Sequence, residues 1–414
     1  MNCLPSAPEQ HRAFKLIFVP LLIFSLVGQL AVVWTQLIDI RDGYFDFVMY
    51  YSAAQILNDG KGAQLYDLKV QREYQKEFGA REKRRDLPFN HPPYELLALV
   101  GLAKFSFPVA HALWAGINTL LLGVILGRLF QFVEAEHRIL FALMLFAYFP
   151  TMTTLKMGQD SIITTFLLVE TFASLKRKQY ALAGGVLALG LYKPQFVLPI
   201  AGIFLLHRRW STIFGFLFTG LLLGVISLAM VGWDALRGLV SLWLPMTQRG
   251  HVVWPELMTN LRGLAYMTLD LGGLSGATNI LTLGLSILVY IVTLRLWPRS
   301  ADEGSGLFDL RFALAVVMTA LVSFHLYSYD GTLVAISLII MLSRVLNRPR
   351  PYPVWHVVFL VILVVLFLPL VPNVLLGTAI LAWWGLPLPV LFCVMAMEIR
   401  RGSAVETETK AIVA

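Results

Sequence analysis

The chain has 414 residues, of which 57% are hydrophobic and only 14% are charged, and its formal net charge is +8. A soluble domain of ordinary composition carries about 25% charged residues, so this composition excludes a soluble enzyme, a disordered chain and a coiled coil. It indicates one polytopic membrane protein.

Hydrophobic segments in chain order predict an all-α bundle of about twelve transmembrane helices, since a span takes about 20 apolar residues. The first segment is too long for a signal-peptide core, which predicts a retained membrane anchor. The predicted spans are residues 14–37, 109–130, 139–155, 161–175, 180–192, 195–207, 211–231, 275–297, 310–328, 331–346, 354–372 and 374–397.

The basic residues predict the topology. Residues 39–93 hold nine basic and nine acidic residues, and beyond them alternating spans place 18 basic residues inside and six outside. This asymmetry is the positive-inside signal and predicts that both termini are cytoplasmic in a bacterial inner (plasma) membrane. We therefore expect a single integral domain over 1–414, with an extracytoplasmic loop over 39–107 and a cytoplasmic tail over 398–414.

The long outer loop is predicted to contain interfacial helices. Phe47, Tyr50, Tyr51, Ala54 and Leu57 are spaced as one helical face, and a glycine three residues later is expected to end that helix. A second apolar stretch, Tyr94 to Phe107, is too short to span a membrane comfortably. Both stretches suit helices that lie on the membrane surface.

Polar residues of the types that act in catalysis or binding lie together at the predicted outer ends of the helices. Asp39, Asp42 and Asp46 would share one helical face. They are either a solvated cluster, an N-cap of the first outer helix, or the source of a general base. His91 lies in an Asn-His-Pro-Pro turn, where the prolines alone explain a helix start. The further candidates for lining a site are Lys193, Gln195, Arg262, His325, Tyr329 and Asp330.

Lys193 precedes Pro194 at a predicted outer hairpin. A lysine there can snorkel to water, or it can hold a fixed positive charge beside a lipid-linked phosphate. The predicted spans contain few acidic residues, whereas an ion-coupled transporter needs ionisable groups near the bilayer midplane. Chemistry at the outer surface is therefore favoured, with a transporter or flippase of lipid-linked glycans as the alternative. An assembly protein that has lost its activity also stays open.

Cofactor and partner expectations follow from the same residues. The basic residues lie between hydrophobic segments instead of clustering with aromatics, so no nucleic-acid partner is expected. Cys3 and Cys393 are far apart, and no His/Cys cluster has zinc spacing, so no metal is expected. The sequence makes no prediction of oligomeric state.

The order of the motifs resembles the membrane glycosyltransferases of the GT-C superfamily. The more similar family is glycosyltransferase family 87, also described as DUF2029, which includes polyprenol-phosphate-mannose-dependent alpha-mannosyltransferases. Two positions depart from its pattern, namely Phe324, where Pro is frequent, and Asp160, where Asn is commoner. The motifs that carry the resemblance are Asp46-Phe47, Tyr50-Tyr51, Ala53-Ala54, Leu65-Tyr66-Asp67, Phe89 to Pro93, Gly158-Gln159, Lys193-Pro194-Gln195, Asn260 to Gly263 and Ser323 to Asp330.

The resemblance implies an inverting transfer of a sugar, a hexose such as mannose, from a polyprenyl-phosphate donor to a lipid or cell-envelope glycan. By analogy Asp46 is the general base, with Asp42 in reserve, and Lys193 and His325 lie near the donor phosphate. His91, Gln195, Arg262, Tyr329 and Asp330 are then expected to line the donor or acceptor site. The implied partners are membrane lipids, the lipid-linked donor and the acceptor, and no cofactor is implied.

Overall fold

The structure is a computed structural model that describes residues 7–35, 46–78, 87–247, 255–270, 272–298, 302–348, 352–368 and 385–413. Every regular element in these ranges is helical, which confirms the predicted all-α class. The helices in chain order are α1 (Ala7–Thr35), α2 (Phe47–Asn58), α3 (Leu68–Gln75), α4 (Phe107–Leu129), α5 (Arg138–Ala147), α6 (Phe149–Met157), α7 (Ser161–Lys176), α8 (Tyr180–Leu189), α9 (Pro194–Leu206), α10 (Trp210–Val231), α11 (Trp233–Thr247), α12 (Leu261–Ala265), α13 (Ser275–Leu296), α14 (Gly306–Val322), α15 (Val334–Leu346), α16 (Val354–Leu366) and α17 (Pro387–Val413).

Several helices are long and apolar enough to cross a membrane. Five segments meet that test in the described part of the chain, and a bent pair raises the number to six. Long apolar helices of this kind suit a membrane protein, while the number twelve stays a prediction. The five segments are Phe14–Ala31, Phe107–Phe132, Trp210–Val231, Gly276–Leu296 and Ser328–Leu346.

The predicted span 139–155 is broken. Helices α5 and α6 meet at an angle of 50°, because Tyr148 between them is extended and does not continue the helix. Pro150 lies in the first turn of α6, where its missing N–H needs no helical partner. The break therefore begins a new helix that carries the chain to the Gly158 turn.

The predicted spans 180–192 and 195–207 are also short helices. Helix α8 has 10 residues, and after a 3₁₀ turn the 13-residue α9 begins with Pro194 in its first turn. A proline is favoured at that position because its backbone angle suits a helix start. Lys193 is thereby placed at the junction of two helices and not within a continuous span.

The buried core is centred on α14 and α15, whose side chains are almost all inaccessible to solvent. A second apolar cluster joins α2 to the start of α4 and the end of α10, through residues such as Phe47, Trp114 and Val231. The outer loop is therefore packed onto the helices. Helix α2 ends at Asn58, shortly before Gly60, which adopts the left-handed φ of +71°.

The structure describes only parts of the last two predicted spans and shows how the predicted cytoplasmic tail begins. The predicted spans 354–372 and 374–397 reach into residues 369–384, which lie outside the described residues. Helix α17 runs without interruption through residue 398, where the tail was predicted to begin, and continues to Val413.

Candidate functional site

A cavity of about 290 Å³ lies where the outer loop meets the ends of several helices. Six of the residues that the sequence predicts for a site line it, and these are Asp46, His91, Lys193, Gln195, His325 and Tyr329. Asp330 is buried behind the wall, where it pairs with Lys193. Asp42 lies outside the described residues.

Asp46 lies immediately before α2 and is held by an amide. The Nε2 of Gln159 donates to the Asp46 Oδ2 at 2.8 Å, and the Tyr50 hydroxyl donates to the Gln159 Oε1 at 3.0 Å. The chain reaches this position through Gly158, which has a left-handed φ of +67°. A Cβ on that glycine would lie 2.6 Å from the Phe47 Cβ, so only glycine lets the two segments approach.

Lys193 is the centre of a buried ion network. Its ammonium contacts an Asp160 carboxylate oxygen and donates to Asp330 Oδ1 at 2.7 Å and Ser161 Oγ at 3.0 Å. Its side chain is only 3% exposed, so it does not snorkel to water. These three acceptors account for the three N–H groups of the ammonium.

The charges of this network stabilise one another. Burial opposes the charged form of Lys193, but the Asp160 and Asp330 carboxylates outweigh it and raise the pKa of Lys193. Burial likewise acts to raise the pKa of Asp160, but Lys193 and His91 together lower it below its usual range. Lys193 and Asp160 therefore stay ionised as a buried pair.

His91 and Glu95 form a second titratable pair in the same wall. The Nδ1 of His91 lies 2.7 Å from the Glu95 Oε2 and 3.6 Å from the Asp160 Oδ2. Burial raises the pKa of Glu95 to about 8, with Asp160 adding to the rise and His91 opposing it. Burial lowers the pKa of His91, but the Glu95 and Asp160 carboxylates reverse this, so it lies above its ordinary value.

This pair predicts how stability depends on pH. Both groups bind protons more tightly in the folded protein, so the stability that they contribute is lost as pH rises through their folded pKa values. For Glu95 this interval runs from its ordinary pKa of 4.5 to its folded pKa of about 8, so we expect the melting temperature in detergent to fall as pH rises between about pH 4.5 and about pH 8. The variant Glu95→Gln mimics the neutral acid and should show a shallower fall. An equal slope in both proteins would contradict the assignment.

The same wall could be considered for a metal. His91, Glu95 and Asp160 each offer one ligand atom, all within 4.8 Å of one another. However, the His91 Nδ1 already faces Glu95, and the Asp160 carboxylate contacts the Lys193 ammonium. A divalent cation would sit beside that ammonium, so the residues fit an ion-pair network better than a metal.

His325 also lines the cavity, within the segment that joins α14 to the 3₁₀ turn Ser328–Leu333. Burial lowers the pKa of His325 to about 4, so its imidazole is neutral at neutral pH. The Nη1 of Arg262 donates to the Phe324 carbonyl at 3.1 Å and brings a guanidinium close to this segment. Asn260, immediately before α12, holds the start of α12 against this segment, since its Nδ2 donates to the Ser323 carbonyl at 2.7 Å.

Three residues that the sequence did not place in a site take part in it. Gln159 orients Asp46, Glu95 pairs with His91, and Asp160 pairs with Lys193. The four-residue spacing of His91 and Glu95 was a usable signal, although the segment is a 3₁₀ helix. For Gln159 and Asp160 the sequence signals are the turn in which they lie and the family motif that covers this turn, but their partners are distant in the chain and no local pattern identifies them.

Comparison with known proteins identifies the chain at the level of a family. The family model described as glycosyltransferase family 87 matches residues 89–324, which is more than half of the chain. No curated protein and no solved structure matches the chain.

Proposed function

The chain belongs to glycosyltransferase family 87, and we propose that it transfers a hexose such as mannose from a polyprenyl-phosphate donor. The acceptor is a hydroxyl of a lipid or cell-envelope glycan at the outer face of the bacterial inner membrane. The transfer inverts the anomeric configuration, and both termini are cytoplasmic. The family supports glycosyl transfer, and the donor, acceptor and orientation are part of the proposal.

One observation carries this proposal. The carboxylate of Asp46 lines the same cavity as the neutral His325 and the paired Lys193 ammonium, so a candidate base and candidate phosphate-side groups face one space. A displacement at an anomeric carbon requires groups on the two sides of that carbon. Asp46 is on the acceptor side in this arrangement, and His325 and Lys193 are on the donor side.

The proposed step balances without a further reactant. Asp46 takes the proton of the acceptor hydroxyl, whose oxygen forms the new bond to the anomeric carbon. The bond from that carbon to the phosphate oxygen breaks, and its electron pair leaves with polyprenyl phosphate. A phosphate monoester has a second pKa of about 6, so this leaving group needs charge stabilisation more than a strong acid.

Three groups form the proposed donor side. The N–H groups of Lys193 face its partners and its charge is compensated by Asp160 and Asp330, so it holds this wall in place and is not a direct phosphate ligand. The neutral His325 can donate one N–H to a phosphate oxygen. The Arg262 guanidinium is close enough to affect the pKa of His325 and can approach the same phosphate. Gln195 and Tyr329 contribute wall surface.

We also propose that the reaction needs no metal. The donor carries a single phosphate, which does not present the chelating oxygens of a nucleotide diphosphate. The Lys193 network already supplies a fixed cation beside the carboxylates. Treatment with a chelator is expected to leave turnover unchanged, and recovery of activity on adding a divalent cation would contradict this.

The proposal is tested with purified protein in nanodiscs. Polyprenyl-phosphate mannose and a nucleotide-diphosphate mannose are offered separately, together with acceptor lipids extracted from the native envelope. Transfer from the first donor only, with an inverted anomeric centre by NMR, supports the proposal. Transfer of a pentose or another hexose alone would revise the sugar, and transfer from the nucleotide donor alone would refute the donor class.

Gln159 supplies a further prediction. The variant Gln159→Leu removes the N–H that favours the charged carboxylate of Asp46, so the acid limb of kcat/KM should move to higher pH. Hydrogen bonds to charged groups contribute about 1.5–3 kcal/mol, which corresponds to a shift of about 1–2 pH units. Tyr50→Phe removes only the hydroxyl that holds Gln159 and should shift the limb less. An unchanged acid limb in Gln159→Leu would assign Gln159 to packing alone.

The transport alternative predicts a polar path along the central helices. Beyond the site, the buried side chains of α15 are apolar apart from Ser337 and Ser343. Those of α14 are apolar apart from Arg311 and Thr319. The described part of the chain therefore gives glycan transport no support.

A further inference from the structure

A second cavity lies at the end of the bundle opposite the candidate site. Helix α15 follows the turn that contains Asp330, and it carries Arg344 near its other end, about 20 Å away at 1.5 Å per residue. There the ends of α4, α14, α15 and α17 enclose a space of about 570 Å³. This cavity shares no lining residue with the candidate site.

Three arginines line this second cavity, and one buried carboxylate orients two of them. Glu398 is 1% exposed and accepts from the Arg344 Nε at 3.2 Å and from the Arg348 Nη1 at 3.0 Å. The same carboxylate also accepts from Trp355 Nε1 at 3.0 Å. The third arginine, Arg401, lies over the Trp355 ring with its guanidinium carbon 5.8 Å from the ring centroid.

The arrangement leaves positive charge in excess. The other acidic residue of the lining, Asp309, already accepts from Lys176 at 2.6 Å. Four basic residues thus face two acidic ones in this part of the described chain. The side chains of Arg344 and Arg348 remain 37% and 23% exposed, so their guanidinium groups can reach a further anion.

The remaining lining is apolar and lies between membrane-length helices. Leu310, Ile339 and Ile340 form part of the wall, beside the polar Ser343 and Asn347. These three side chains are buried, and the apolar surface that an acyl chain can reach in this lining is that of the half-buried Phe132 and the exposed Val405. A soluble anion gains nothing from that surface, whereas an amphiphile can place its charged group on the arginines and a chain against it. Basic pockets between helices at the cytoplasmic surface are typical sites for anionic lipid head groups.

We propose that this cavity binds the phosphate head group of an anionic phospholipid. The positive-inside rule explains why arginines occur at this end, but it requires neither a cavity nor arginines fixed by a buried glutamate. A fixed guanidinium loses less freedom when it binds a phosphate, and it can donate two parallel hydrogen bonds. The occupant is a membrane lipid distinct from the sugar donor, and the proposal does not depend on the transfer reaction.

Native mass spectrometry of the full chain in detergent tests this proposal. The protein is titrated with dioleoyl phosphatidylglycerol, with dioleoyl phosphatidylcholine, and with inorganic phosphate in excess as a competitor. Arg401→Gln removes a cavity cation without disturbing Glu398, and Asn347→Asp adds a negative charge to the wall. Arg138→Gln is the matched control, since Arg138 is an exposed arginine outside this cavity.

We expect phosphatidylglycerol to bind more tightly than phosphatidylcholine. Each cavity variant should lower the affinity for phosphatidylglycerol about tenfold, the effect that loss of one charged hydrogen bond would have. The control should change binding less than twofold. Equal affinity for the two lipids, or unchanged binding in both cavity variants, would overturn the proposal. An equal loss in Arg138→Gln would indicate a general charge effect, and full displacement by inorganic phosphate would indicate a soluble-anion site. Either result would also overturn it.

Discussion

Asp46→Asn is expected to lower the turnover of sugar transfer by roughly 10²–10⁴-fold, the usual contribution of a positioned general base. The amide keeps the size of the side chain and can still contact Gln159, but it cannot take the proton of the acceptor hydroxyl. Donor binding should change little, because Asp46 is on the acceptor side of the cavity in the proposed arrangement. The measurement is the initial rate of transfer in nanodiscs, with donor affinity determined separately.

The control for Asp46→Asn is Asp234→Asn. Asp234 is an exposed aspartate near the start of α11 that pairs with Arg237 on the same helix and does not line the candidate site. It tests whether loss of an aspartate charge elsewhere on the protein slows the reaction. If Asp46→Asn is folded and keeps full turnover, Asp46 is not the base. Asp42→Asn would then be assayed in the same way.

Lys193→Met is expected to produce the largest loss of stability. It leaves the Asp160 and Asp330 carboxylates buried without their cation, and both side chains are at most 1% exposed. Removing one partner of a buried ion pair costs about 3–5 kcal/mol, because the remaining charge is uncompensated. Unfolding in a mild detergent measures the change, and activity should be lost as well.

A triple variant separates charge from packing at Lys193. In Lys193→Met/Asp160→Asn/Asp330→Asn no buried charge is left alone, so most of the lost stability should return while activity does not. Lys176→Met serves as the control, since its partner Asp309 is more exposed and the loss should be smaller. If Lys193→Met is as stable as the native protein, or the triple variant recovers nothing, the ion network does not stabilise the fold as described.

The proposed roles of the two ends of the bundle can be tested independently. The variants of Asp46 and Lys193 are expected to change sugar transfer and the stability around the candidate site. The variants of Arg401 and Asn347 are expected to change the binding of an anionic lipid about 20 Å away along α15. A protein that fails one set of tests can therefore pass the other.

The membrane class and the position of several helix ends follow from local sequence. Composition excludes a soluble fold, and Gly60 and Pro194 mark a helix stop and a helix start that the structure contains. These features depend on side-chain chemistry within a few residues, so they can be read without knowing the fold. The break at Tyr148 was missed because residues 139–155 are apolar throughout, and hydropathy does not register backbone angles.

The tertiary structure alone decided which polar groups meet. Asp46 and Gln159 are 113 residues apart, and Lys193 and Asp330 are 137 apart. Helix packing determines such pairs, and no local pattern encodes it. The sequence therefore determined that a lysine lies at a junction between two helices, which allowed either snorkelling or a fixed charge. Only the packing of the α6–α7 turn and the 3₁₀ turn before α15 against that junction decided that the charge is buried between two carboxylates.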